Sequence, residues 1–464
     1  VRAAIDRAIA FIARLATRGL FRSVEVLGFE ELPRGPRLVV ANHFNGFVDP
    51  VVIAGAMGRL PRFIAKATLW KTPGVPVLMR AAGVLPVHRS TDGGGDNQGT
   101  FHSVVAELHR GETVAIFPEG TTHDQPHLAE VRTGAARLAL DAAQAGVAGM
   151  HIVPVGVTFE DKVALRSRVV VRAGRPIDPA GPAYRTAAGE PVGSADHDRV
   201  RALTDEIRGA IADVSPDFED LIAAVEMRRA ADVALRSDDL APLGEVSLAE
   251  REALAKDLDR LPSAVRDPIA IAAGEYQLLL SAVRIGDDYL APPVKLRSLV
   301  ARAVATAVAF VLLIPFALMG VVVNVVPAVL GILAGLVATA PVSKGTNRVL
   351  VGIVAFPLTW WLVAAGDAGR GIAATVVGWV TWPLDPVVES LVGTRGGFWP
   401  SLLVFVACPI CGLLAVWLAE QLVRLLRTVR AVSTTINRRG QVHEVLERRT
   451  GLVELVTSAI DERA

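Results

Sequence analysis

At 464 residues the chain exceeds one small domain and has room for two or three. A hydrophobic fraction of 52% and a mean hydropathy of +0.42 are too high for an ordinary soluble protein. A formal charge of +1, from 48 basic and 47 acidic side chains, excludes a global field that would gather nucleic acid.

The first 22 residues read as an amphipathic helix. Arg7, Arg14, Arg18 and Arg22 share one side of a helical wheel, while Ile5, Ile9, Ile12, Ala16 and Leu20 share the other. The pattern fits a helix lying in a membrane interface, and it also fits a helix packed on its own domain. Arginine recurs throughout, so the segment does not read as a secretory signal.

Short apolar runs then alternate with helix-like segments. Leu38–Ala41, Arg62–Ala65, Gly83–Val87, Thr113–Ile116, His151–Val157 and Arg168–Arg172 read as strands. The alternation predicts an α/β catalytic domain with a mixed sheet over residues 1–180. Gly181–Asp196, rich in Gly, Pro, Ala and Ser, reads as a linker. A soluble helical segment is expected over 181–296, broken at Pro216, Pro242, Pro262 and Pro268.

An α-helical transmembrane region of about four spans is expected over 297–424. No charged residue stands between Arg302 and Lys344. One helix of that length would overshoot a bilayer, so Ala303–Ser343 is expected to form a hairpin turning near Asn324 and Pro327. Val349–Gly366 and Phe398–Ala419 are further spans. Gly371–Gly393 carries Asp385 and Glu389 and is expected to be re-entrant or interfacial. Arg297, Arg302, Lys344 and Arg348 then share the cytoplasmic side, together with a basic tail helix over 425–464. That makes a multi-pass membrane protein whose α/β domain faces the cytoplasm. Cys408 and Cys411 lack a thioredoxin-like setting and further metal ligands, so they read as buried thiols.

Two polar clusters emerge at strand ends. One is Asn42-His43-Phe44-Asn45-Gly46-Phe47-Val48-Asp49-Pro50, after Leu38–Ala41; the other is Phe117-Pro118-Glu119-Gly120-Thr121-Thr122-His123, after Thr113–Ile116. A histidine, a nearby carboxylate and a second carboxylate beside glycine are the parts of an acid/base site. His43 suits a general base, and Asp49 suits the partner that orients it. Asp49 followed by Pro50 also has the form of a helix N-cap with proline at N1. Glycine at 120 would let backbone N–H groups approach an anion closely. His123 is the rival base. No Gly-x-Ser-x-Gly elbow or phosphate-binding Gly-Lys loop is present, and no metal cluster is evident.

These clusters resemble the phospholipid/glycerol acyltransferase family (1-acylglycerol-3-phosphate and glycerol-3-phosphate O-acyltransferases), with matching motifs from about Val39 to Phe159. The resemblance implies transfer of an acyl group to a hydroxyl of 1-acylglycerol 3-phosphate, glycerol 3-phosphate or dihydroxyacetone phosphate. It implies no cofactor beyond a thioester co-substrate, acyl-CoA or acyl carrier protein. The partners implied are membrane lipids, acyl-CoA and a glycerol-phosphate acceptor, with no nucleic acid. It makes His43 and Asp49 catalytic and assigns the acceptor to Asn42, Lys66, Arg89, Glu119, Gly120, Thr121, His123 and Arg132, with Pro154 shaping a wall. Two departures stand out. Five residues separate His43 from Asp49 where the family usually has four. Thr122-His123 replaces an arginine-serine pair, so a phosphate-binding arginine is missing there; Thr122-His123-Asp124 is similar to a branch acting on glycerol phosphate or dihydroxyacetone phosphate. Rival readings are a transporter, which would want charges inside its spans, and a non-catalytic lipid-binding scaffold.

Overall fold

The structure is a computed structural model that describes residues 2–71, 75–87, 98–236, 244–290, 296–365 and 398–462. The chain divides into two units, Val1–Ala231 with Ser247–Ala270, and Asp232–Val246 with Ile271–Ala464. The boundary expected at 180 falls inside the first unit, and the expected 181–296 segment is shared between both.

The first unit is built on a seven-stranded mixed sheet in the order β1-β7-β6-β2-β5-β3-β4. Its strands are β1 (Phe21–Leu27), β2 (Arg37–Ala41), β3 (Arg62–Lys66), β4 (Leu85–Val87), β5 (Thr113–Ile116), β6 (His151–Phe159) and β7 (Ser167–Ala173). Only β6 and β7 pair antiparallel; the other neighbours are parallel. In β2, Leu38, Val39 and Val40 are all fully buried, as expected of a parallel strand covered on both faces. Leu38 and Val40 join a core with α4 (Gln98–His109), α5 (Gly134–Gln144) and α6 (His197–Val214). Elsewhere on the sheet, α2 (Val48–Met57) and α8 (Leu248–Asp259) pack on β7.

The N-terminal helix α1 (Arg2–Leu20) packs on α2 and buries Ala10, Ala13 and Thr17. Asp6 accepts both guanidinium N–H groups of Arg62 at 3.0 and 2.7 Å. The helix is therefore docked on its own domain, yet Ile5, Phe11 and Ile12 stay exposed. The packing bears out the reading of a helix docked on its own domain.

Gly181–Asp196 is not a free linker. Tyr184 and Val192 are buried in the α4–α6 core, and the Tyr184 hydroxyl donates to Glu206. Small and proline residues there let the chain lie flat on the core rather than leave it. The remaining helices of this region are α3 (Val75–Ala82), α7 (Leu221–Leu235) and α9 (Ser263–Val283). Pro268 lies inside α9 instead of ending it.

In the second unit, α10 (Leu296–Val337) runs unbroken for 42 residues through Pro315 and Pro327. The expected hairpin near Asn324 is therefore replaced by one helix of about 63 Å. Proline ends helices less readily in an apolar setting, where other groups satisfy the freed carbonyls. With α11 (Pro341–Ala365) and α12 (Phe398–Asn437), three helices among the described residues are long and apolar enough to cross a membrane. The segment expected to be re-entrant, Gly371–Gly393, lies outside the described residues. Asn324 joins the three helices: its amide donates to the carbonyls of Gly320 and Cys408 at 2.8 and 3.1 Å, and Trp360 Nε1 donates to its Oδ1 at 2.8 Å. Cys408 and Cys411 are buried, free thiols. The tail forms α13 (Arg439–Asp461), whose Arg449 pairs with buried Asp287 at 3.0 Å.

Candidate active site

Strands β2 and β5 are neighbours, with Val40 in register with Ile116. His43 and Glu119 each stand three residues beyond that pair, so both polar clusters leave the same edge of the sheet at the same level. Carboxyl ends of parallel strands are where open α/β sheets bind ligands.

Gly46, at φ +52°, turns the chain between β2 and α2 so that the loop folds back on itself. His43 Nδ1 thereby lies 2.9 Å from Asp49 Oδ2, despite the longer spacing. Asp49 is not the helix cap: α2 begins at Val48 with Phe47 as N-cap. Its fully buried carboxylate turns back instead, and Oδ2 also accepts the Asn45 N–H at 2.8 Å. A carboxylate accepts only, so Nδ1 carries the hydrogen and Nε2 presents a lone pair. Nε2 has no partner among the described residues, and the histidine side chain keeps 19% exposure. The imidazole stacks on Phe117 with ring centroids 4.1 Å apart and planes at 15°. Phe117 in turn stacks on Phe63 at 6.1 Å. The base is thus held at one nitrogen and on one ring face.

Glu119 is buried and its oxygens are occupied by the protein. Oε1 accepts the His43 main-chain N–H at 2.6 Å; Oε2 accepts the Ala129 N–H at 2.8 Å and contacts His123 Nε2. In this structure the carboxylate fastens the two loops together. His123 is turned into the protein as well: its Nδ1 is buried without a partner and its ring meets Phe44 edge-on at 5.0 Å. As the rival base it lacks an outward-facing nitrogen.

Asn42 is fully buried, and its amide exchanges hydrogen bonds of 2.9 and 2.7 Å with the main chain of Val157. It braces β2 against β6 and is closed to an acceptor. Gly120 has φ +68°, and a Cβ there would sit 3.4 Å from Arg132 Nε. The positive φ favours glycine, and the Arg132 guanidinium lies against the loop at ordinary contact distance. Arg132 is exposed and Lys66, at the end of β3, is partly exposed; neither side chain has a partner among the described residues. Thr121 is exposed. Pro154 lies within β6, in register with Val40, below the site edge. Arg89 lies outside the described residues.

Sequence reasoning missed Asn45, Ala129 and Lys162. Lys162, in the β6–β7 turn, contacts both loops of the site through Phe44, His123 and Asp124. Nothing near it in sequence marks it, because its partners lie on other strands' loops.

Residues 23–158 match the family model described as Acyltransferase. The match is confined to that segment, less than a third of the chain. Glycerol-3-phosphate O-acyltransferase 2 of Saccharomyces cerevisiae is 33% identical over 138 residues, 29% of this chain and 18% of that protein. Lyso-ornithine lipid O-acyltransferase of Pseudomonas aeruginosa is 36% identical over 151 residues, 32% of this chain and 54% of that protein. The chain thus spans about half or less of the length of these curated relatives. Among solved structures, the 1-acyl-sn-glycerophosphate acyltransferase PlsC of Thermotoga maritima aligns at 21% identity with a TM-score of 0.34, covering 44% of this chain and 77% of that one. A likeness of that order carries no functional inference. The matched segment holds every described residue of the candidate site except Lys162.

Proposed function

We propose that the protein is a membrane-bound O-acyltransferase that moves a fatty acyl group from acyl-CoA to the hydroxyl of 1-acylglycerol 3-phosphate, giving phosphatidate. The observation that carries this reading is the His43–Asp49 pair at 2.9 Å, with Nε2 left open at the carboxyl edge of the sheet. His43 Nε2 takes the proton of the acceptor hydroxyl as that oxygen attacks the thioester carbonyl. Asp49 holds the tautomer and stabilises the imidazolium that forms. The tetrahedral intermediate collapses, the C–S bond breaks, and the departing thiolate takes the proton from His43. The thioester supplies the activation, so no acyl-enzyme is required.

Arg132 and Lys66 are the described cations at the site edge, and Arg89 is a further candidate. A guanidinium suits phosphate through its fork of donors, so Arg89 is the first choice of phosphate ligand, with Arg132 the arginine among the described residues that shares the role. The place of Arg132 beside Gly120 compensates for the arginine that Thr122 replaces. Acyl carrier protein is the alternative donor.

A second acceptor class is favoured by Thr122-His123-Asp124 and by the yeast relative named for glycerol 3-phosphate. Glycerol 3-phosphate or dihydroxyacetone phosphate would then give a lysophosphatidate-type product. The deciding experiment offers labelled acyl-CoA with lysophosphatidate, glycerol 3-phosphate and dihydroxyacetone phosphate in parallel to purified protein and to His43→Ala. Product from one acceptor, lowered about 10²–10⁴-fold by the substitution, is expected. Activity that survives in His43→Ala overturns the mechanism.

A further inference from the structure

The turn between β6 and β7 is a rigid piece of backbone. Asp161 Oδ1 accepts the N–H groups of Val163 and Ala164 at 2.8 and 2.9 Å, and Ser167 Oγ donates to the Asp161 carbonyl at 2.6 Å. Arg166, at φ +61°, donates its N–H to Leu20 at 2.7 Å and its guanidinium to the Phe21 carbonyl at 2.8 Å. This turn is therefore pinned both within itself and to the start of β1.

Lys162 projects from that fixed point into the gap between the two site loops. Its ammonium donates to the Phe44 carbonyl at 3.5 Å and to the His123 carbonyl at 3.3 Å, and it pairs with the Asp124 carboxylate. Its own carbonyl accepts from Asn45 Nδ2 at 3.2 Å. Phe44 and Asn45 directly follow His43, and Asn45 N–H is a donor to the same Asp49 oxygen that His43 uses. His123, on the other loop, contacts the carboxylate that holds the His43 main chain. Two independent ties therefore join the loops: Glu119 on one side and Lys162 on the other.

We propose that Lys162 is a positioning residue that sets the His43–Asp49 dyad by clamping residues 43–49 to residues 119–124. The inference rests on the acyl-transfer reading of the site. It also accounts for the departure at 122–124: Asp124 supplies the carboxylate that anchors the Lys162 ammonium between the loops. A side chain that touches only protein groups acts on orientation rather than substrate affinity, and small misplacements of a base are costly in kcat.

The test uses the full chain in detergent, comparing Lys162→Met, Lys162→Arg and Asp124→Asn with the unsubstituted protein. Hydrogen–deuterium exchange is read on peptides covering 42–50 and 118–130, with β6 as internal control. Lys162→Met is expected to speed exchange in both peptides by about tenfold or more without changing β6. It should lower kcat by about 10–100-fold with KM for donor and acceptor within about threefold, and Lys162→Arg should recover most of both. Asp124→Asn should loosen the 118–130 peptide more than the other, and it keeps the test alive if Lys162→Met does not fold. Unchanged exchange in both peptides overturns the proposal. So does a raised KM with kcat intact, which would make Lys162 a substrate ligand. Absence of acyl transfer by the unsubstituted protein would instead count against the proposed function, while the exchange result still decides the clamp.

Discussion

The main-chain N–H of His43 donates to Glu119 Oε1 at 2.6 Å, so the second polar cluster holds the first by its backbone. Glu119→Gln leaves the volume unchanged but replaces one accepting oxygen with a donor. Three protein donors then compete for one oxygen. The expected result is a fall in kcat of about 10²-fold with a small change in KM, measured by initial rates at saturating donor and acceptor.

Asp49→Asn tests the dyad from the other side. An amide oxygen in the Oδ2 position can still accept the His43 Nδ1–H and the Asn45 N–H, but it carries no negative charge to stabilise the imidazolium that forms in the reaction. A loss in kcat on the order of 10²–10⁴ is expected, with the thermal midpoint shifted by only a few degrees.

Arg132→Ala removes the unpartnered guanidinium beside Gly120. KM for a phosphate-bearing acceptor should rise by about 10–100-fold, and Arg132→Lys should recover only part of it. An acceptor without phosphate should be used equally well by both proteins. Equal KM values for the phosphate acceptor would remove Arg132 from the site.

Stability in acid should depend on Glu160. Burial alone pushes its carboxyl up, but the hydrogen bond and charge of Arg168, with Arg22 and Arg251, outweigh burial and hold it below the ordinary value. The unfolded chain therefore takes the proton first. The stabilisation is present above the ordinary carboxylate range near 4.5 and is lost as pH falls through the folded value. Glu160→Gln should cost about 1–3 kcal/mol at neutral pH and flatten the acid limb of a melting-temperature profile.

Asn324→Leu breaks the junction of α10, α11 and α12. Hydrogen bonds between apolar helices contribute roughly 0.6–1.7 kcal/mol each where the helices lie in a membrane. The Trp360 indole would lose its acceptor, and a blue shift or broadening of tryptophan emission together with a lower thermal midpoint is expected.

The α/β domain was legible because its signals are local. Leu38–Ala41 and Thr113–Ile116 are apolar runs that end in polar clusters, and both occur as β2 and β5. Proximity of His43 to Asp49 was legible in outline, since a loop and a helix start can meet. The anchoring role of Glu119 was not, because it follows from the β2–β5 register and from an Ala129 N–H ten residues away. Lys162 was invisible for the same reason, as its partners lie 38 residues or more from it in sequence. β1 was missed where Phe21–Leu27 follows a strongly helical pattern without a break. The unbroken α10 was missed because hydropathy reports an apolar stretch but not whether it bends.

The shared level of His43 and Glu119 makes the chain's tolerance of length changes uneven. The loop over 44–48 closes through a side-chain contact, so it accommodates the extra residue that sets this sequence apart from the usual spacing. A residue inserted within Thr113–Ile116 would instead slide Glu119 about 3.3 Å along the sheet, out of reach of the His43 N–H. Insertions and deletions should therefore be admitted between the paired groups and rejected inside the strands that carry them.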